Sequence, residues 1–212
     1  MIGIPIGIAY TCAAEWLIHK HILHGVGKKK SSFWSFHFHD HHQSARKNNM
    51  VDPAYQKPVL DSLESPQTKE FLSLVALSAI HLPLAPVAPF FVGTVVYHAA
   101  KYYKVHKKAH LDPDWAKEHL PWHYDHHMGK NQDTNWGVTY PYFDQLMGTR
   151  EKYVGTQAHQ VSEKKRAQRV AQAKRPMAGS LPVASADGQF NMPTAGTERI
   201  KEVGAKEVAA AA

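Results

Sequence analysis

The hydropathy pattern divides the chain into two apolar stretches set among polar ones. Residues 2–18, IGIPIGIAYTCAAEWLI, carry no charge before Glu15. That is short for a membrane span, which needs about 20 residues, and no basic run precedes it as in a cleaved signal peptide. From Phe71 to Ala100 there is no Asp, Glu, Lys or Arg, and Pro83, Pro86 and Pro89 interrupt the middle. This pattern predicts a helical hairpin dipping into a bilayer, each arm too short to cross. A buried pair of core helices is the competing reading, and the uncharged length favours the membrane. Between the stretches, Gln43 to Lys69 is polar and broken by Pro53, Pro58 and Pro66. A helix is expected from about Tyr97 until Pro113 ends it, and Asn135 to Arg150 reads as a packed loop and turn. Gln160 to Lys174 suits a basic helix. Arg175 to Ala212, rich in Ala, Gly, Pro and Ser, is expected to be disordered. The fold class that follows is all-α: a membrane-associated helical bundle over residues 1–159, with a basic tail over 160–212.

Charge placement adds an orientation. Lys20 and Lys28 to Lys30 follow the first apolar stretch, Lys69 precedes the second, and Lys101, Lys104, Lys107 and Lys108 follow it. All fall on one side, which the positive-inside rule assigns to the cytoplasm. The net charge is +7, and a large share of it sits in the tail. No aromatic-basic motif accompanies it, so nucleic acid is not an expected partner.

Sixteen histidines against one cysteine is a strong bias in ligand chemistry. It excludes a thiolate zinc site and a disulfide framework, and Cys12, in an apolar run, reads as a small core residue. Most of the histidines fall into four pieces: His19, His21 and His24; His37, His41 and His42; His106 and His110; His123, His126 and His127. Side chains three or four apart on an α-helix share a face and can hold one ion. The second member of each HH pair points about 100° away, so the doubled histidines argue for two ions. Helix geometry selects His21 rather than His19 as the partner of His24, because residues five apart lie on different faces of an α-helix. His39, His81, His98, His119 and His159 lack the pattern and read as non-ligands. Imidazole suits iron, zinc, copper or nickel, so ligand type does not fix the metal. Glu15, Asp40, Asp112 and Asp125 lie near the candidate ligands and are expected to accept their free ring N–H groups.

The segments EWLIHKHILHG (Glu15–Gly25) and NWGVTYPYFDQLMGT (Asn135–Thr149), with the HH clusters, resemble the fatty acid hydroxylase superfamily, which also holds sterol desaturases and carotenoid hydroxylases. Its pattern is H-x4-H, an H-x2-3-HH, H-x3-H and a final H-x2-HH. Carried onto this chain, the resemblance implies ligands at His19, His24, His37, His41, His42, His106, His110, His123, His126 and His127. It favours His19 over His21. Three residues rather than two separate His37 from His41, which leaves His39 as a competitor. The apolar segments are shorter and more broken than in eukaryotic members, and no cytochrome b5-like domain is attached.

The resemblance implies a membrane oxidoreductase with two Fe ions and O2 as co-substrate. It would hydroxylate an unactivated C–H bond of a lipid (fatty acyl, sterol-like or carotenoid), drawing electrons from an external ferredoxin- or cytochrome-type donor. A two-metal zinc hydrolase and a non-catalytic metal-binding membrane protein are the alternatives. Neither a Ser-His-Asp nor a Cys-His set is apparent.

Overall fold

The apolar N-terminal run folds as α1 (Gly3–Leu17) and continues without a break into a π-helical segment, Ile18–Val26. Gly25 lies inside this segment and does not end it. The turn comes at Gly27, where a Cβ would meet the Leu23 and Trp34 carbonyl oxygens. A second π-helical segment, Phe36–His42, runs directly into α2 (Gln43–Lys47). The computed structural model describes residues 2–174. The chain separates into two units, Met1–Ala167 and Gln168–Ala212, and the histidine site described below lies in the first.

Proline then sets the boundaries. α3 (Pro66–Ala79), α4 (Pro89–Leu111), α5 (Pro113–His119) and α6 (Pro121–Met128) each begin on a proline. The fixed φ suits the first helical position, where the missing N–H would have had no partner. α4 accordingly starts at Pro89 rather than near Tyr97. It stops before Pro113, as expected, with Asp112 capping α5 by accepting from the Trp115 N–H at 3.0 Å. The stretch read as loop and turn also contains a short helix, α7 (Tyr142–Met147), closed by Gly148 at φ 67°. α8 (Gln157–Lys174) covers the expected basic helix. The disorder expected for Arg175–Ala212 falls outside the described residues.

The expected hairpin is present. α3 and α4 run antiparallel, with Phe71 against Tyr103 at one end and His81 against Phe91 at the other. α1 lies along α4, so closely at Gly7 that a Cβ there would fall 2.7 Å from the Thr94 Cβ. Among the described residues the structure is all-helical, and no helix is long and apolar enough to cross a membrane. Ile2, Ile4, Ile6 and Ile8 of the N-terminal helix region, Ile80, Leu82, Leu84 and Val87 of the hairpin turn, and Phe90 are all exposed. α1 is thus apolar outward as well as inward, which an ordinary surface helix is not.

Candidate metal centre

The π-helical segments explain the spacing that an α-helix could not. A ladder closed one residue later than in an α-helix, as in the Gly27 N–H to Ile22 carbonyl bond of 2.9 Å, stacks residues five apart. His19 lies over His24 and His37 over His42, all four buried. His21, the choice of α-helical geometry, is exposed and turns its ring edge to Trp16. His39 points away as well, pairing with the Lys28 carbonyl at 2.9 Å.

The candidate histidines gather into two buried groups. His19, His24, His37, His42 and His126 form one, and His41, His106, His110 and His127 the other, the ligand atoms of each lying within 4.8 Å of one another. His123 joins the second through His110, Nε2 to Nε2 at 3.1 Å. Each HH pair divides: His41 and His127 go to one group, His42 and His126 to the other. The groups abut, with the His42 and His127 rings stacked 4.2 Å apart.

Hydrogen bonds at the outer ring nitrogens fix the tautomers. Nδ1–H donates to the Trp136 carbonyl from His19 (2.6 Å), to that of Thr134 from His126 (2.6 Å) and to that of Met50 from His110 (2.7 Å). His41 donates to Asp52 at 2.7 Å and His106 to Glu70 at 2.9 Å. In a neutral ring each of these leaves Nε2 as a bare lone pair facing inward. The Gln132 amide lies 3.2 Å from His42 Nδ1 and can present its oxygen there by rotating.

These lone pairs crowd together. His42 Nε2 lies 3.1 Å from His24 Nε2, 3.2 Å from His37 Nε2 and 3.1 Å from His126 Nε2. One ring nitrogen carries at most one proton, so hydrogen bonding cannot satisfy three such neighbours. A cation between them can, and contacts of this length match the edge between ligands at right angles around an ion with bonds near 2.1 Å, about 3.0 Å. Buried nitrogens without a partner, His41 Nε2, His106 Nε2 and both of His127, point the same way. Most of these rings are also held neutral. Burial lowers His19 to about 4, against a partial rise from its bond to Trp136. Burial and then neighbouring imidazoles depress His24, His37, His42, His106, His123, His126 and His127 well below the ordinary histidine value. Neutral, converging and unpartnered imidazoles fit a metal.

The carboxylates expected beside the ligands do other work. Glu15 accepts from His98 Nε2 at 2.8 Å and from the N–H groups of Val138 and Thr139. Asp40 is exposed, and Asp112 is the cap of α5. Asp125 accepts from the Val154 N–H at 2.6 Å and pairs with Arg150 at 2.7 Å. Sequence proximity misled because an outward ring nitrogen meets the next layer of the fold, not its chain neighbours. The true partners, Asp52 and Glu70, stand at the cap of the Pro53–Gln56 turn and on α3. Burial would raise Asp52, yet the hydrogen bonds from His41 and Ala54 outweigh it and hold the carboxyl low. Burial raises Glu70 to about 8, although the Tyr55 hydroxyl donates to it. Asp144, equally unmarked in sequence, accepts from the N–H groups of Trp136 (2.9 Å) and Gly137 (2.7 Å) and so steadies the loop that supplies the Trp136 carbonyl. Cys12 is buried with its thiol pushed up to about 11, mainly by that burial, and belongs to neither group.

A cavity of about 170 Å3 lies between α1, α3 and α4. It extends along α1 from Tyr10 to Ile18, about 12 Å at the helical rise. His19 and His37 line it, and so do Tyr10 and His81, which hydrogen-bond to each other at 2.9 Å. Leu23, Phe36, Leu74, Leu77 and Val95 make much of its wall apolar.

Neither the curated proteins nor the solved structures give a match to this chain. The family model described as fatty acid hydroxylase matches residues 4–149, a range that takes in α1 through α7 and both histidine groups. With that match over more than half its length, the chain belongs to the fatty acid hydroxylase family, whose activity is of the oxidoreductase type.

Proposed function

We propose that the chain is a di-iron, O2-dependent hydroxylase of an unactivated C–H bond in a lipid. The observation that carries this reading is the pair of abutting, neutral imidazole groups, one of which lines an apolar cavity. His19, His24, His37, His42 and His126 would hold one ion, and His41, His106, His110, His123 and His127 the other. Bound iron would supply the redox chemistry that O2 activation needs, with electrons from an external ferredoxin- or cytochrome-type donor. The chain's own residues do the rest. Asp52, Glu70 and the Met50, Thr134 and Trp136 carbonyls orient the rings by holding their Nδ1 protons. The cavity receives the apolar part of the substrate and keeps water from it. A zinc hydrolase would need water delivered to the bond it cleaves, and an apolar wall suits that poorly.

We place the protein at a membrane, with the histidine groups on the cytoplasmic side. The exposed isoleucines of α1 and the exposed hairpin turn lie at the Tyr10–His81 end of the cavity. Large apolar side chains left exposed in this number support an interaction with lipid. The lysines that flank the apolar stretches would face the headgroups.

One experiment tests both parts. The chain is expressed in a host, and host lipids are compared by mass spectrometry with those from cells making the His126→Ala, His127→Ala variant. New lipids heavier by one oxygen atom, absent from the control, are expected, with the protein in the membrane fraction after a carbonate wash. An unchanged lipid profile from metal-loaded, reductant-supplied cells sinks the hydroxylase reading, and recovery in the soluble fraction sinks the membrane placement.

A further inference from the structure

The polar groups on the cavity wall are nearly all occupied. The hydroxyls of Thr11, Ser73 and Ser78 donate to the carbonyls of Gly7, Lys69 and Leu74 at 2.7 to 2.9 Å. His81 Nδ1 donates to the Leu77 carbonyl, so its Nε2 accepts from Tyr10. Glu15 and Glu70 are engaged as described above. Tyr102 differs. Its ring is buried, 8 % exposed, and packs against His106 one turn along α4. The residue lines the cavity, and its hydroxyl has no partner among the described residues although the hydroxyls around it are paired. The hydroxyl is not sealed within the wall, and it is free to donate to a molecule in the cavity.

The cavity wall also lacks any cationic side chain. Neither lysine nor arginine lines it, whereas two carboxyl side chains, Glu15 and Glu70, do. In the metal-free chain a ligand carboxylate would enter with no counter-charge from the wall and with the Glu15 carboxyl beside it. A neutral oxygen function faces no such penalty and gives Tyr102 an acceptor.

We propose that the cavity takes a neutral lipid chain bearing a hydroxyl or carbonyl group near the carbon presented to the histidines, and that Tyr102 selects it by donating to that oxygen. This deepens the hydroxylase reading and rests on it for the reaction, but not for the binding. Tyr102 acts here as a specificity-determining residue: it sets which lipid sits in the cavity and at what depth.

The test is binding of decanol and of decanoate to the full chain in a maltoside detergent, followed by tryptophan emission, since Trp34 stands on the cavity wall. Binding is read on the metal-free protein, and metal content on the protein after loading. Decanol is expected to bind saturably and decanoate at least about tenfold more weakly. Tyr102→Phe removes only the hydroxyl and should weaken decanol roughly fivefold, the usual net worth of one hydrogen bond, while leaving metal content unchanged. Ala14→Phe, which fills the cavity, should abolish the response. Unchanged decanol affinity in Tyr102→Phe, decanoate binding as tight as decanol, no decanol binding, or a response that survives Ala14→Phe each overturns the proposal. A wild-type chain that takes up no metal defeats the hydroxylase reading instead, and the metal-free binding data still stand.

Discussion

Single residues divide sharply by what their polar atoms meet. Asp52 and Asp125 are both buried acids, yet one accepts from a candidate ligand and the other from loop residues. Asp52→Asn should therefore weaken metal binding about 10- to 100-fold, the usual cost of losing such a partner. Asp125→Ala should leave affinity intact and lower stability by about 1–3 kcal/mol, because the Val154 N–H and Arg150 lose their acceptor. Competition with a chelator reads the first and thermal melting the second; equal losses of metal in both variants would refute the distinction. The candidate ligands were legible in the sequence because histidines repeat at short spacing within four pieces. Their hydrogen-bond partners were not, since Asp52 stands 11 positions from His41 and Glu70 stands 36 from His106. No local pattern announces a backbone carbonyl such as that of Trp136.

Elements show a comparable split. Pro113 marks the end of α4 as expected, whereas Pro66 and Pro89, which the pattern alone reads as interruptions, open α3 and α4, because a fixed φ and a missing N–H suit the first helical position. The uncharged run from Phe71 gave away the hairpin. The π-helical segments left no such trace. Apolar and polar residues in HKHILHG fit an α-helix as readily, and only tertiary packing around the histidine group selects the wider ladder. The register makes a clear prediction. His24→Ala should remove metal from the first group, whereas His21→Ala should leave the metal content of the purified protein unchanged. Metal loss from His21→Ala would mean that the segment is α-helical and that the pairing of His19 with His24 is wrong.

The whole molecule concentrates its basic nitrogen in one dry place, and that gives it a dependence on acid. Nine histidines of the two groups have depressed folded-state values, His19 at about 4 against 6.5 when free. Below about 6.5 the unfolded chain takes up protons that the folded chain refuses, so the unfolded state gains. Stability of the metal-free protein is fully present above 6.5 and falls as pH drops, for His19 down to about 4. Glu70 acts in the opposite sense, favouring the fold as pH falls from about 8 toward 4.5, but it is one group against nine. Denaturant midpoints across this range should decline steadily toward acid; a flat profile would mean that the imidazoles are not buried as described. A final consequence follows from the way the HH pairs divide between the two groups. A single peptide link, with about 3.8 Å between α-carbons, joins a donor of one ion to a donor of the other, twice over. The two proposed ions would thus be tethered through the same two stretches of backbone, so that a shift of either helix segment would disturb both halves of the centre at once.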